Sequence, residues 1–333
     1  MNNIEEQRDQ AKAELIKQQE AMVDIMDDIP KWAYCFVQIR DRSTGKLGPW
    51  TARPYQMKAM RSKSRKKVLR WGRRCGKTEA QIIEMLYWCA KIPGFRVVIV
   101  TPFESQIRLI YMRLFEIIED SPLIKMTVKS KTKNPYILTF KNNAAILGFT
   151  AGTKSGQGAA SIRGQKADLI YMDEADYLQD NEIEAIVAIA LESPEIRITL
   201  TSTPTGKRAF FYRACNMPEM GYQHFYTPST ELPSWGPQME GEFRAMFSEV
   251  GYQHEVMAEF GDEVTGVFNK NYIDRAIDIE LYHYMDLSSQ QTAYVKENKL
   301  KPKNIGIYGP DHPAPLALRT IGVDWDKFRD VST

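Results

Sequence analysis

The sequence predicts an α/β fold, a doubly wound and mainly parallel sheet followed by a small C-terminal lid or linker subdomain. Three features predict it: short apolar runs recur between residues 67 and 201, stretches with helical spacing lie between them, and a glycine-bearing loop joins the first run directly to a helix. Alternating strand and helix signals argue for parallel strands, each connected over a face of the sheet by a helix.

Residues 3–26 are rich in Glu, Gln, Lys, Ala and Met and contain no glycine or proline, which favours a helical arm that Pro30 is expected to end. Trp32 to Arg53 mixes aromatics with Ser43-Thr44-Gly45 and Gly48-Pro49, the pattern of a short strand pair, so residues 1–46 read as an arm and lead-in. The core is expected over 47–215. Its first strand is Lys67-Val68-Leu69-Arg70-Trp71, and Glu79 to Ala90 has helical spacing. Arg96-Val97-Val98-Ile99-Val100 is a continuous run of the kind buried on both faces of a parallel sheet, with Ser105 to Glu119 as its crossover helix. Pro135 to Gly148 reads as a hairpin turning at Asn142-Asn143. Asp168 to Met172 and Arg197 to Thr201 are two further strands, with the helical segment Glu182 to Leu191 between them. After Gly206 the periodicity weakens, prolines at 218, 228, 233 and 237 mark loops, and Met239 to Glu259 is helical; 216–285 is assigned to a small lid or linker subdomain. Residues 286–333 read as a polar linker that resumes as a strand from Leu318 to Trp325.

The chain has 333 residues, 43% hydrophobic, 26% charged and 11% aromatic, enough to bury one or two ordinary cores. No run of apolar residues is long enough to span a bilayer and the N-terminus lacks the pattern of a signal peptide, so an intracellular location without a membrane is expected. Cys35, Cys75, Cys89 and Cys215 show neither a disulfide nor a zinc spacing. The net charge of +2 leaves any nucleic-acid contact to local clusters. Two basic clusters qualify equally as DNA contacts or solvated faces: Arg61, Lys63, Arg65, Lys66, Lys67 and Arg70, then Lys125, Lys129, Lys131 and Lys133.

Gly72-Arg73-Arg74-Cys75-Gly76-Lys77-Thr78 follows a strand and opens a helix, where backbone N–H groups and the positive helix end face an anion. In the standard phosphate-loop pattern Lys77 holds the β- and γ-phosphates and Thr78 ligates Mg²⁺, but the pattern puts its first glycine at 71, where this chain has Trp. Asp173-Glu174 ends the apolar strand Asp168 to Met172, which suits Asp173 to Mg²⁺ and Glu174 to orienting and deprotonating an attacking water. Thr201-Ser202-Thr203-Pro204 ends the next strand, so its hydroxyls should emerge at the same carboxyl edge and sense a γ-phosphate.

Together Arg73 to Thr78, Asp173-Glu174-Ala175 and Thr201 to Pro204 resemble the ATPase of tailed-phage terminase large subunits, over roughly residues 48–270. The resemblance implies a P-loop NTPase of the ASCE type, a loop that commonly lacks the first glycine and carries an arginine after the position of Gly72, and a coupling motif at Thr201, Ser202 and Thr203. It implies an adenine-reading glutamine, for which Arg53-Pro54-Tyr55-Gln56 offers Gln56 with Tyr55 stacking nearby. It also implies an arginine that reaches a neighbouring subunit's ATP, with Arg163 and Arg73 as the two candidates. Ile321 to Asp326 resembles the first strand of the nuclease that follows the motor, with Asp324 in a metal-ligand place. The other carboxylates of that site are missing, so the chain is expected to end within that strand and not to cut DNA. The implied function is an ATP- and Mg²⁺-dependent motor that drives double-stranded DNA into a procapsid. Implied partners are a portal protein, a terminase small subunit and further copies in a ring, in the host cytoplasm. A DEAD-like helicase and a nucleotide-binding scaffold without turnover are the alternatives.

Overall fold

A computed structural model describes residues 2–41, 44–151, 166–188, 195–206 and 208–261. The chain divides at Glu263, and every described residue lies in the unit Met1–Glu263.

The N-terminal arm is the helix α1 (Asn2–Asp27). Pro30 does not end it: Asp28 accepts a hydrogen bond from the Lys31 N–H at 2.9 Å and caps a second helix, α2 (Ile29–Phe36). Pro30 stands in the first turn, where a missing N–H removes no intrahelical bond. The expected strand pair is narrower than the segment assigned to it, β1 (Gln38–Arg40) against β2 (Leu47–Pro49), and is followed by the short helix α3 (Pro54–Met60).

The main sheet has eight strands: β3 (Lys66–Trp71), β4 (Arg96–Thr101), β5 (Val128–Lys133), β6 (Tyr136–Phe140), β7 (Ala145–Thr150), β8 (Leu169–Asp173), β9 (Arg197–Ser202) and β10 (Gln223–Thr227). Across the sheet their order is β10-β3-β9-β8-β4-β7-β6-β5. All pairs from β10 to β7 are parallel, and β5, β6 and β7 pair antiparallel, with the hairpin turning at Asn142-Asn143 as expected. Asn143 takes φ 66 there, a left-handed conformation that asparagine tolerates better than most residues.

Strand side chains alternate between two cores. Leu69, Val97, Ile99, Leu169 and Tyr171 join α2, α3, α4 (Lys77–Lys91) and α5 (Glu104–Asp120) on one face. Val68, Val98, Val100, Ile170, Met172, Ile198 and Leu200 join α7 (Asp180–Val187) and α8 (Phe210–Asn216) on the other. The short helix α6 (Pro122–Thr127) links α5 to β5. Helices on both faces of a parallel sheet make the doubly wound α/β class that the alternating pattern predicts.

Two runs that read as single elements are divided or dispersed. Met239 to Glu259 forms α9 (Pro237–Met246) and α10 (Glu249–Glu255), separated at Phe247-Ser248, where the Ser248 hydroxyl accepts from Gly251 N–H as the cap of the second helix. The first basic cluster is no continuous surface: Lys67 is buried and bonded to both carboxylate oxygens of Glu84, at 2.5 and 2.7 Å. Among the described residues no helix is long and apolar enough to cross a membrane.

Candidate functional site

Strand order decides what meets at the carboxyl edge of the sheet. β9 lies between β3 and β8, and in register Thr201 faces both Leu69 and Asp173. The Ser/Thr turn after β9 is therefore wedged between the loop after β3 and the acidic pair after β8.

The loop Gly72 to Gly76 is held from outside. The guanidinium of Arg53 donates to the carbonyl of Arg74 at 3.2 Å, and the Tyr55 hydroxyl donates to that of Cys75 at 3.2 Å. The Gln56 amide donates to the carbonyls of Cys75 and Gly76, each at 3.3 Å, and the Ser229 hydroxyl to that of Arg73 at 2.8 Å. Because a trans peptide sets N–H opposite C=O, pinning the carbonyls of residues 73–76 turns the following N–H groups to the other side. That arrangement, at the start of α4, is the concave array of donors that suits a phosphate. Arg74 (φ 61) and Gly76 (φ 75) bend the loop through left-handed backbone, which costs a non-glycine residue about 1–2 kcal/mol. Gly72 is required by crowding: an added Cβ would stand 2.6 Å from the Val256 carbonyl oxygen and 2.7 Å from the Ser229 nitrogen.

The carboxylates are anchored by the neighbouring strand. Asp173 accepts from the Thr201 hydroxyl at 2.6 Å, and that hydroxyl is also 3.2 Å from the Tyr171 hydroxyl. Glu174 accepts from the Ser202 hydroxyl at 3.1 Å and is itself in left-handed backbone, φ 50 and ψ 47. Thr203 is buried beside them, and its carbonyl accepts a second bond from the Ser202 hydroxyl at 2.9 Å.

One cleft of about 710 Å³ is lined by Gly72 to Glu79 together with Asp173 and Glu174, so the loop, Lys77, Thr78 and both acids open onto the same space. Lys77 donates to the Trp71 carbonyl at 2.7 Å. Burial lowers its pKa, against the pull of Glu174 and Asp173, which favours the ammonium. Burial raises the pKa of Glu174, opposed by Lys77 and reinforced by Asp173. A carboxyl group with raised basicity next to an ammonium is suited to taking a proton.

Other sequence-selected residues are placed differently. Gln56 is 4% exposed, and its amide is committed to Cys75, Gly76 and, as acceptor, the Arg53 N–H at 2.8 Å. Arg73 is exposed and makes a two-point ion pair with Glu255, which raises its pKa; its backbone N–H donates to the Glu255 carbonyl at 3.0 Å. Arg163 and Asp324 lie outside the described residues. Burial raises the Cys75 thiol above its ordinary pKa. Sequence reasoning missed Arg53, Ser229 and Glu255, which hold the loop, and Arg113, which lines the cleft and donates to Glu79 at 3.1 Å. Ser229 and Glu255 lie more than 150 positions beyond the loop and carry no local pattern that could have marked them.

The terminase large subunit family of the T4likevirus type, N-terminal, has a model that matches residues 69–273. No curated protein matches the chain. Among solved structures, the large terminase ATPase domain of Thermus phage P74-26 is similar at 20% identity and a TM-score of 0.55, over 63% of this chain and 94% of that one. The HK97 bacteriophage large terminase is similar at 13% identity and a TM-score of 0.57, over 70% of this chain and 55% of that one. The large terminase of the thermophilic bacteriophage D6E is similar at 14% identity and a TM-score of 0.50, over 62% and 53%. At these identities the likeness is one of fold, and the chain spans about half the length of the HK97 and D6E proteins. The family match covers more than half of the sequence: this chain belongs to the terminase large subunit family, T4likevirus type, in the N-terminal part.

Proposed function

We propose that this chain is an ATP-hydrolysing motor that uses Mg²⁺ and moves double-stranded DNA into a viral procapsid. The observation that carries the reading is the convergence of Lys77, Thr78, Asp173 and Glu174 on one cleft below a loop whose carbonyls are pinned outward. Lys77 and the loop N–H groups hold the β- and γ-phosphates, and Glu174 orients and deprotonates the attacking water. Thr201 and Ser202 fix the two carboxylates from the intervening strand, so any shift of the acids moves the turn that ends at Thr203.

Mg²⁺ fits the donors present. Among the described residues no group of three or more His, Cys, Asp or Glu side chains could hold a metal. Mg²⁺ is ordinarily held by one or two carboxylates together with substrate phosphates and water. Thr78 and Asp173 would be its protein ligands, and when bound it neutralises charge on the β- and γ-oxygens. Partners implied by the packaging reading are DNA, a portal protein, a small subunit and further copies of the chain in a ring, in the host cytoplasm.

Glu174→Gln tests the reading. Hydrolysis should fall by about 10²-fold or more, the ordinary worth of a positioned base, while ATP affinity stays within a few-fold. Equal ATPase rates in variant and parent reject the catalytic assignment, and absence of turnover in the parent at any protein concentration favours a scaffold. ATPase that rises with concentration, vanishes in Arg163→Ala and returns on mixing with Glu174→Gln supports an arginine supplied by a neighbour.

A further inference from the structure

β8 and β9 carry a group of hydroxyls inside the sheet, behind the acidic pair. Period-two alternation puts Tyr171 and Asp173 of β8 on one face, and register places Tyr171 beside Thr199 and Asp173 beside Thr201 of β9. Tyr171, Thr199 and Thr201 are fully buried, an unfavourable position for a hydroxyl unless it is hydrogen-bonded. The Thr199 hydroxyl has no partner among the described residues. Tyr171 does not turn to it; its own hydroxyl reaches past to that of Thr201, 3.2 Å away.

The direction of these bonds follows from counting hydrogens. Thr201 has a single hydroxyl hydrogen, which goes to Asp173 Oδ1 at 2.6 Å. Toward Tyr171 the Thr201 oxygen can therefore only accept, so the phenol is the donor. Burial, and after it the charge of Asp173, raises the pKa of Tyr171 well above its ordinary value, so that hydrogen stays in place. The result is a one-way chain from Tyr171 to Thr201 to the carboxylate, and successive bonds of this kind polarise and strengthen one another. Asp173 lines the cleft with Lys77, Thr78 and Glu174, whereas neither Tyr171 nor Thr201 is part of its lining. With Oδ1 taken by Thr201, Oδ2 is the oxygen that Asp173 has left for a cation.

We infer that Tyr171 is a positioning residue for the Mg²⁺ of the nucleotide complex: it fixes the Thr201 hydroxyl, and through it the angle at which Asp173 presents its second oxygen to the cleft. The inference rests on the Mg²⁺ and ATP reading above and adds to it a residue that touches neither ion nor nucleotide. Outer partners of a metal-ligating carboxylate typically contribute about 10–100-fold in metal affinity, and a phenol one bond further back belongs at the lower end of that range. Without the phenol, the Thr201 hydroxyl is free to rotate away from Asp173.

Tyr171→Phe keeps the ring and deletes the hydroxyl, and Thr201→Val keeps the side-chain shape and cuts the chain one step nearer the acid. Calorimetric titration of the full chain with an ATP analogue whose β–γ bridge is NH, once with Mg²⁺ and once with EDTA, separates metal-dependent from metal-independent binding. Tyr171→Phe should weaken binding about tenfold in Mg²⁺ and leave binding in EDTA within about twofold. Thr201→Val should lose at least as much, and Thr201→Ser should bind as the parent does. Tyr171→Phe added to Thr201→Val should lose nothing further, because the chain is already cut. Unchanged Mg²⁺-dependent binding in Tyr171→Phe overturns the inference. Equal losses in Mg²⁺ and EDTA overturn it as a general disturbance of the sheet, and additive losses in the double variant overturn it by showing that Tyr171 does not act through Thr201. Should Tyr171→Phe not fold, equal binding by Thr201→Val and Thr201→Ser in Mg²⁺ overturns it in its place. A parent that binds the analogue no better with Mg²⁺ than with EDTA overturns the Mg²⁺ reading itself, and the positioning role with it.

Discussion

Gly72→Ala probes the tightest place in the site. The added methyl would stand 2.6 Å from the Val256 carbonyl oxygen and 2.7 Å from the Ser229 nitrogen, between two atoms that are themselves joined by a 2.7 Å hydrogen bond. Backbone cannot yield as a side-chain tip does, so the segment 227–229 must separate from the segment 255–256 or the loop must rise. Overpacking costs about 1–3 kcal/mol and the weakened backbone bond about 1 kcal/mol more, so the loss is roughly 2–4 kcal/mol. For a body of this size that corresponds to a fall in Tm of roughly 5–15 °C. Gly48→Ala is the control, because a Cβ there meets nothing within 4 Å. Thermal unfolding of the two variants and the parent, followed by near-UV circular dichroism, measures the difference. If Gly72→Ala melts with Gly48→Ala, the crowding at residue 72 does not constrain the loop and the account of its carbonyl pinning is wrong.

Two further perturbations have directions set by the structure. Lys67→Met leaves Glu84 buried without its cation and should cost about 3–5 kcal/mol in urea denaturation, whereas adding Glu84→Leu should recover most of that loss. Equal stability of the single and double variants rejects a coupled pair. His224, pushed down from 6.5 to about 4 by burial and then by Arg70 against the opposing pull of Glu259, stays neutral in the folded state while the unfolded chain takes a proton. Its share of stability is complete above pH 6.5 and is lost as pH falls toward 4. His224→Gln should flatten that part of the stability–pH curve, and an unaltered slope excludes His224 as its source.

The residues that line the candidate cleft were largely legible because they are contiguous. Lys77 and Thr78 open a helix after a strand, and Asp173 and Glu174 end another, so local pattern alone marks both groups. The paired strands and cores followed as well, since period-two alternation across β3, β4 and β8 divides Leu69 from Val68 and Ile99 from Val98. Proline misled at residue 30, because its lack of an N–H ends a helix in the interior but suits the first turn of the next. The Lys-rich run before the loop misled in another way: β3 sends Lys67 inward, where Glu84 of α4 meets it.

By itself, then, the amino-acid order determined the α/β class, the phosphate loop, the acidic pair and the Ser/Thr turn, because each is written in neighbouring residues whose period and polarity dictate local backbone. Only the tertiary structure decided that β9 lies between β3 and β8, that Gln56 holds the loop, and that Arg73 pairs with Glu255. Those relations join residues from about 20 to more than 180 positions apart. They arise from packing of whole elements, for which no local pattern exists.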